Sequence, residues 1–535
     1  MSSLVKTTTL FIIVLAIAAF FRLHLIQDLP NGLFPDEAAN GMDAQMILKG
    51  HHTPFFERGN GREALYHYLL AVSIKLLGVS VFGVHLVSAI IGILTVLATF
   101  FMVKVLFGLR PAFLASFFLA TSYWHVTLSR VGFRSILAPL FLTCFFLFLA
   151  LTIKEKNTKK KYWYAALAGI FLGGGFYTYL VFRVIIGILG LMLLSIFIIN
   201  LKKVKKFQWL KSFWPQAGIM LLVALIVLTP LIIYFFQHPK LFLFRAGHVS
   251  IFNPDLNHGD ILSTFLDVLK KTCLSFFTMG DDNWRHNVSG FAFLNPLVAS
   301  FFGIGFLFII SRLIKLKILF FKNREKFLAS VNFENLAYFT LLLWFVLMLV
   351  PEVLTAEGIP HGLRLIGVIP AIFVIAALGA ELVIKKIKPF VKTKFARNLF
   401  LLIGISLLFE LVIYDYTLYF KISANSSQFY YAYRSDLTNV SKYLNERQNK
   451  EKTYLVLDEY SVQTTDFLTS KLGKPYQLLD PALSYLVELQ KGDQVIFTQS
   501  TIFDAAKFEE YHPEAKLVRE DKNKWGEKIM RVYEH

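Results

Sequence analysis

Long apolar blocks recur along most of this chain, and they constrain its fold more than any other feature. A helix needs roughly 20 residues to cross the hydrocarbon core of a bilayer, and hydrophobic residues make up 56% of the 535 residues. A soluble chain of this length does not normally carry such a load. The sequence therefore predicts a polytopic α-helical membrane protein. The eleven candidate spans are 7–26, 80–107, 110–129, 134–153, 162–181, 183–200, 215–236, 291–313, 335–354, 363–384 and 398–420.

Four runs of basic residues between these blocks predict the topology. With eleven spans all four runs fall on one side of the membrane, which the positive-inside rule makes cytoplasmic. The amino terminus then lies in the cytoplasm, and the loops 27–79 and 237–290 and the carboxyl terminus lie outside. Because topology accounts for the net charge of +19, nucleic acid is not expected as a partner. The runs lie at 154–161, 202–206, 312–326 and 385–394.

The composition changes near residue 421, where the apolar blocks end. Segments 453–458 (TYLVLD) and 493–498 (DQVIFT) have the length and side chains of short buried strands. We predict a membrane domain over residues 1–420 and a small extracytoplasmic α/β domain over residues 421–535. Residues 64–79 are too short and too polar for a span, so an interfacial helix is expected there.

An acidic motif, FPDEAANGMD, follows the first span. Asp36 could take a proton from a hydroxyl group at the membrane surface, and Asp43 would share its helical face. The alternative is structural, because Pro35 suits the start of a helix and acids in the first turn complement its dipole. A second acid, Glu63 in the sequence GRE, taken alone indicates only an exposed ion pair of little energetic weight.

Arginines stand at the predicted outer ends of several spans, where the positive-inside rule gives no reason for them. Convergent guanidinium groups would bind a phosphate through bidentate, charge-assisted hydrogen bonds. The alternative is that they reach lipid headgroups or pair with nearby acids. These arginines are Arg130, Arg134, Arg183 and Arg364.

The segment GDDNWRHN, residues 280–287, is dense in hydrogen-bonding groups and contains one large aromatic ring. Recognition of carbohydrate or phosphate needs such a mixture, although a structural turn would also explain it. Asp281, Asp282, His286 and His361 could hold a divalent cation, but their spacing follows no established ligand pattern. No metal is therefore expected.

By the order of these motifs and the side of the membrane they share, the chain resembles the GT-C superfamily of membrane glycosyltransferases. Within it, the chain is similar to the dolichyl-phosphate-mannose protein mannosyltransferase-like group, which includes bacterial aminoarabinose transferases. The resemblance covers most of residues 1–420 and rests on FPDE, GRE, SRVGFR, YTYLVFR, GDDNWRHN and IPHGLRLIG. The WWDYG-type motif of oligosaccharyltransferases is absent, which argues against transfer of a whole oligosaccharide to asparagine.

The resemblance implies a hexosyl- or pentosyltransferase of the bacterial plasma membrane. It would take a sugar from a polyprenyl-phosphate donor, invert the anomeric carbon, require no cofactor and act at the outer face among membrane lipids. Asp36 would act as base or orient the acceptor, with Glu37 supporting it. The donor phosphate would be held by Arg130, Arg134, Arg183 and Arg364, with Arg285 and His286 as weaker candidates. Acceptor or sugar contacts are expected from Asp43, Glu63, Asp282, Trp284 and His361.

Two other functions fit the same features. One is a transporter or flippase for lipid-linked sugars, and the other is a silent relative that only binds them. Transporters place polar groups near the bilayer midplane, whereas this chain places most ionisable groups at one membrane face, which favours surface chemistry. The acceptor remains open between protein, lipid and polysaccharide.

Overall fold

The computed structural model describes residues 3–201, 208–241, 249–323, 326–327, 330, 332–447 and 451–535. The basic run at 202–206 and Arg324 of the third run lie outside these residues. Helices dominate the chain before the carboxy-terminal segment. They are α1 (Ser3–Leu23), α2 (Pro35–Leu48), α3 (Leu65–Leu77), α4 (Val81–Phe107), α5 (Leu109–Thr121), α6 (Tyr123–Ser129), α7 (Leu137–Lys154), α8 (Thr158–Gly175), α9 (Ile185–Leu201), α10 (Gln208–Gln237), α11 (Pro254–Asn257), α12 (Ile261–Ser275), α13 (Pro296–Lys322), α14 (Phe333–Leu347), α15 (Val350–Val353), α16 (Ile369–Ile387) and α17 (Lys394–Tyr416).

Seven helical segments in the described part of the chain are long and apolar enough to cross a membrane. Shorter apolar helices occur at Thr7–Leu23, Leu65–Leu77, Leu109–Thr121 and Leu180–Ser195. The prediction of a polytopic helical membrane protein is confirmed, whereas the count of eleven spans is not. The seven segments are Val81–Phe107, Arg134–Lys154, Phe213–Gln237, Pro296–Lys322, Phe333–Val353, Ile366–Phe390 and Lys394–Asn425.

The core of the bundle lies around α16, whose residues Ile369–Glu381 are all buried. Gly379 of α16 faces Gly305 of α13, and a Cβ atom at either position would meet the backbone of the other helix. Two helices can approach this closely only where neither carries a side chain at the contact.

The predicted span 110–129 is not one helix, because α5 ends at Thr121 and α6 begins after Ser122. The last carbonyl groups of a helix have no partner within it. Here Arg22 of α1 donates to the carbonyls of Leu119 at 3.1 Å and Ala120 at 2.9 Å. The Ser122 hydroxyl accepts from the His125 N–H at 3.4 Å and so begins α6. An arginine from another helix thus stabilises a break that no glycine or proline marks.

The carboxy-terminal segment contains a five-stranded mixed sheet, which confirms the prediction of a small α/β domain with strands near 453–458 and 493–498. The strands are β3 (Thr453–Val456), β4 (Gln477–Leu479), β5 (Gln494–Thr498), β6 (Lys516–Lys522) and β7 (Lys528–Glu534), after the short hairpin strands β1 (Phe55–Phe56) and β2 (Arg62–Glu63) of the membrane domain. Their order is β4-β3-β5-β7-β6, with β3 parallel to both neighbours and β7 antiparallel to both of its own. The helices of this region are α18 (Ser427–Ala432), α19 (Ser435–Glu446), α20 (Val462–Leu468) and α21 (Ala505–Tyr511).

The sheet domain contacts the bundle mainly through α20, which packs on α2. The backbone of Leu33 makes two hydrogen bonds to the sheet domain. It accepts from the Thr464 hydroxyl of α20 at 3.0 Å and donates to Thr438 Oγ1 of α19 at 3.2 Å. Gln45 Nε2 donates to Ser470 Oγ at 2.8 Å near the other end of α2. The acidic motif therefore lies against the carboxy-terminal domain.

Candidate active site

Glu37 fixes the first turn of α2 against the bundle. Its carboxylate accepts hydrogen bonds from the backbone N–H groups of Phe34 at 2.9 Å and Gly132 at 2.5 Å. It also contacts His85 Nε2 at 2.9 Å. Because Glu37 is fully buried, it is placed to position its neighbour Asp36 rather than to touch a substrate.

Asp36 is the half-exposed acid of this turn, with 47% of its side chain accessible. Arg62 Nη2 lies 3.5 Å from its carboxylate. Tyr460 from the carboxy-terminal domain also reaches it, and burial together with the Asp36 charge raises the pKa of the Tyr460 hydroxyl. Tyr460 therefore stays protonated, with its hydroxyl directed at the Asp36 carboxylate. The ring of Phe34 lies beside both, with the Arg285 guanidinium carbon 3.4 Å from the ring centroid.

A buried polar cluster continues from Asp36 along α2. Arg62 Nη1 donates to Asn40 Oδ1 at 3.3 Å and lies 3.6 Å from Asp43. Arg58 Nε binds the same carboxylate at 3.0 Å, and His67 Nε2 lies 3.8 Å from it. Burial raises the pKa of the Asp43 carboxyl, although Arg58 and Arg62 oppose the shift. Asp43 is thus held inside the protein and orders the arginines around Asp36.

Glu63 joins two of the predicted phosphate-binding arginines. Arg134 Nε donates to its carboxylate at 2.9 Å, and Arg183 Nη2 lies 3.6 Å from it. The interpretation of Glu63 as an exposed ion pair is wrong, because only 3% of the residue is accessible. Two guanidinium groups share one carboxylate, so this group carries surplus positive charge.

An apolar groove of about 500 Å³ ends at Arg183. Most of its lining comes from α10, and Arg183 is the one charged side chain among the described lining residues. The shape and composition suit a hydrocarbon chain with an anionic end. The lining residues are Phe176, Arg183, Leu228, Leu231, Ile232, Phe235, Phe236 and Pro239.

Arg130, by contrast, does not face this cluster, and its predicted contact with a donor phosphate is corrected. It is fully buried and donates to the backbone carbonyls of Phe21 at 3.1 Å, His24 at 2.8 Å and Leu29 at 2.5 Å. These carbonyls belong to the end of α1 and the turn after it, where a helix leaves acceptors unpaired. Arg130 therefore holds the chain leading into α2.

We expect Arg130→Gln to destabilise the protein by about 3 kcal/mol or more, because several buried carbonyls lose their donors. Thermal unfolding in detergent measures the loss, with the exposed Arg397→Gln as the matched control. The affinity of the folded fraction for a lipid-phosphate donor should stay unchanged. A variant of normal stability that loses donor affinity would contradict this assignment.

Asp281, His286 and His361 form a second polar group. One ligand atom from each lies within 4.8 Å of the others, so a divalent cation could be held there. However, the Asp281 carboxylate already binds His286 Nδ1 at 2.8 Å and the Gly362 N–H at 2.8 Å. Burial raises the pKa of Asp281, but the hydrogen bond and charge of His286 outweigh it and lower the pKa overall. The expected absence of a metal requirement stays a prediction.

The remaining predicted residues lie around this second group. Arg364 donates to the Glu357 carbonyl and lies 3.9 Å from Glu352. Trp284 Nε1 donates to Gln428 Oε1 of the carboxy-terminal domain at 3.3 Å, while Asp282 is exposed. The structure thus forms one cluster from Asp36, Asp43, Glu63, Arg134 and Arg183. A second cluster contains His286, His361 and Arg364. Arg285 belongs to neither and packs on the ring of Phe34.

Three residues of the site had no predicted role. Arg62 belonged to the GRE motif but was assigned to an exposed pair, and Arg58 precedes it in the same hairpin. The sequence signal that could have revealed Arg58 and Arg62 was their positive charge, which follows the acids Asp36 and Asp43 in the same loop. Tyr460 offered none, because its approach to Asp36 depends on how α20 packs on α2.

The bundle and the docked sheet together form a membrane protein of GT-C fold, the fold of the solved structures described below. A family model described as dolichyl-phosphate-mannose-protein mannosyltransferase matches residues 64–234. These findings confirm the resemblance seen in the motifs. A search of curated proteins found no match.

Solved structures match over nearly the whole chain. Apo ArnT from Cupriavidus metallidurans is 13% identical, with a TM-score of 0.55, over 99% of this chain and 98% of that one. The same protein bound to undecaprenyl phosphate is 12% identical, with a TM-score of 0.53, over 99% of this chain and 97% of that one. A third match is the archaeal oligosaccharyltransferase AglB from Archaeoglobus fulgidus, in complex with an inhibitory peptide and a dolichol-phosphate. It is 14% identical, with a TM-score of 0.50, over 88% of this chain and 64% of that one. At these identities the likeness establishes the fold.

Proposed function

We propose that this protein transfers a sugar from a polyprenyl-phosphate donor to an acceptor at the outer face of the plasma membrane. One observation carries the proposal: a half-exposed carboxylate, a surplus of arginine charge and an apolar groove meet at one end of the bundle. The chemistry needs all three, because it must deprotonate an acceptor, hold a phosphate and seat a hydrocarbon tail.

The polyprenyl tail would lie in the groove, with its phosphate at Arg183 and Arg134. Because one carboxylate faces two guanidinium groups, these three side chains together carry a positive charge, which would stabilise the phosphate as it leaves. The matched ArnT structure, which is bound to undecaprenyl phosphate, supports a carrier of this kind. Fold likeness alone does not determine function, so the arrangement of these side chains carries the argument.

Asp36 would take the proton of the acceptor hydroxyl as its oxygen attacks the anomeric carbon. The bond between that carbon and the phosphate oxygen breaks, and polyprenyl phosphate leaves with the electron pair. A single displacement inverts the anomeric carbon. Arg62 Nη2 lies 3.5 Å from the Asp36 carboxylate and orients it, and the displacement requires no cofactor.

Proteoliposomes carrying donor in one leaflet test this function against the transporter alternative. A transferase releases polyprenyl phosphate and glycosylates the acceptors of a mixed extract only when the donor is in the outer leaflet and the extract is in the solution facing that leaflet. Movement of intact donor between leaflets, without release, would instead establish the transporter. Donor binding with neither result would establish the silent binder.

Tyr460→Phe should lower kcat/KM for the acceptor about tenfold, which corresponds to one hydrogen bond to a charged group. The ring and its packing on Phe34 remain, so donor affinity should not change. Initial rates at varied acceptor concentration measure the effect, with the exposed Tyr511→Phe as control. Equal values for Tyr460→Phe and wild type would remove Tyr460 from the site.

A further inference from the structure

A second cavity, of about 380 Å³, lies in the carboxy-terminal domain at the amino-terminal end of β3. It shares no residue with the site around Asp36. We call it the Arg447 pocket. Its lining consists of Leu444, Arg447, Glu451, Lys452, Thr453, Leu472, Lys474, Pro475, Tyr476 and Gln477.

Two side chains of the Arg447 pocket hold buried polar atoms that lack a hydrogen-bond partner in the described part of the chain. They are Nε and Nη2 of Arg447 and Oγ1 of Thr453. Thr453 is only 3% exposed. Donors that are shielded from water and have no partner are costly, although the Arg447 residue as a whole is only half-buried. Both side chains line the cavity, and a change of rotamer would turn these atoms towards a ligand inside it.

The charge of the pocket indicates the ligand. Arg447, Lys452 and Lys474 are cationic and Glu451 is the one acid, which leaves two surplus positive charges among the lining residues. A phosphate monoester carries close to two negative charges, and a guanidinium group binds its oxygens in bidentate fashion. The Thr453 hydroxyl can donate a further hydrogen bond. We propose that the Arg447 pocket binds a phosphate-bearing small group.

The position of the pocket allows two sources for that phosphate. Leu472 belongs to the turn that also contains Ser470, the partner of Gln45 on α2. Lys471 of the same turn reaches Gly78, where a Cβ atom would lie 3.4 Å from its Nζ. Gly78 follows the last residue of α3 and lies three residues before the start of the membrane-crossing α4. The phosphate can therefore come from a lipid headgroup beside the bundle or from a soluble phosphate compound.

Thermal unfolding of the full-length protein in phosphatidylcholine nanodiscs tests the proposal without any transferase assay. Inorganic phosphate should raise the Tm of the wild type by about 2–4 °C in a saturable way at constant ionic strength. Lys474→Gln and Arg447→Gln should lose most of that rise, and Lys516→Gln on β6 should keep it. Lys474 is exposed, so its replacement leaves the fold intact. No saturable rise, or an equal rise in all four proteins, would overturn the proposal.

The same measurement in nanodiscs that contain phosphatidic acid, whose headgroup is a phosphate monoester, distinguishes the two sources. A lipid headgroup in the pocket would raise the Tm of the wild type before phosphate is added, and the Lys474→Gln and Arg447→Gln variants would lack that increase. A soluble ligand would give the same phosphate response in both lipids. Because the readout is binding, failure here leaves the proposed transfer at Asp36 unaffected.

Discussion

Asp36→Asn is expected to lower the rate of sugar transfer by about 100-fold or more, the range lost when a general base is removed. Asparagine keeps the size of the side chain and its contact with Arg62, but it cannot accept the acceptor proton. Donor affinity should persist, because the phosphate contacts come from Arg134 and Arg183. Release of polyprenyl phosphate under saturating donor measures the rate, and equilibrium binding of labelled donor measures the affinity.

The control for this substitution is Asp28→Asn, which removes an exposed acid from the turn before α2. It should transfer sugar at the wild-type rate. Near-normal transfer by Asp36→Asn would remove Asp36 from the chemistry. Loss of donor affinity together with transfer would make Asp36 part of donor binding instead.

Glu63→Gln is expected to lower the free energy of unfolding by about 3–5 kcal/mol, the effect of breaking a buried ion pair by removing one partner. Arg134 and Arg183 would then face each other without the carboxylate that they share. Glutamine fills the same volume, so packing does not change. Chemical or thermal unfolding in detergent measures the loss.

The exposed Glu510→Gln provides the matched control and should unfold like the wild type. Wild-type stability in Glu63→Gln would mean that Glu63 does not hold the two arginines. Groups other than Glu63 would then have to balance the charge of the two arginines when no donor is bound.

Local patterns in the sequence predicted the helical membrane domain and the strands β3 and β5. Apolar length indicates a span, and a short run of β-branched and aromatic residues indicates a buried strand. Asp36 was selected in the same way, since its motif lies in the loop after the first predicted span, and its role stays a prediction. Arg134 and Arg183 were found because topology gave no reason for their positions, and the structure joins both to Glu63.

Features that depend on distant backbone groups could not be predicted. Arg130 has the sequence context of Arg134, yet its guanidinium binds carbonyls at the end of α1. The break at Ser122 depends on Arg22 in the same way. In both cases an arginine binds free backbone acceptors of another element, and no local pattern indicates which element that is.

The charges of the GRE motif show a further limit. Arg62 and Glu63 were assigned to the surface because each has an opposite charge beside it. Their actual partners come from α2, the turn before α7 and the segment before α9. Burial of a charged residue is decided by how many such segments converge, which is a property of the fold.

The most direct test of the central claim is the stoichiometry of a single turnover by the purified wild-type protein. Polyprenyl-phosphate hexose and pentose donors, labelled in both sugar and lipid, are mixed with excess protein and an acceptor extract. Our account predicts one free polyprenyl phosphate for each glycosylated acceptor, no release without acceptor, and an inverted anomeric configuration in the product. Release without acceptor, or tight donor binding with no release from any donor, would contradict transfer at Asp36.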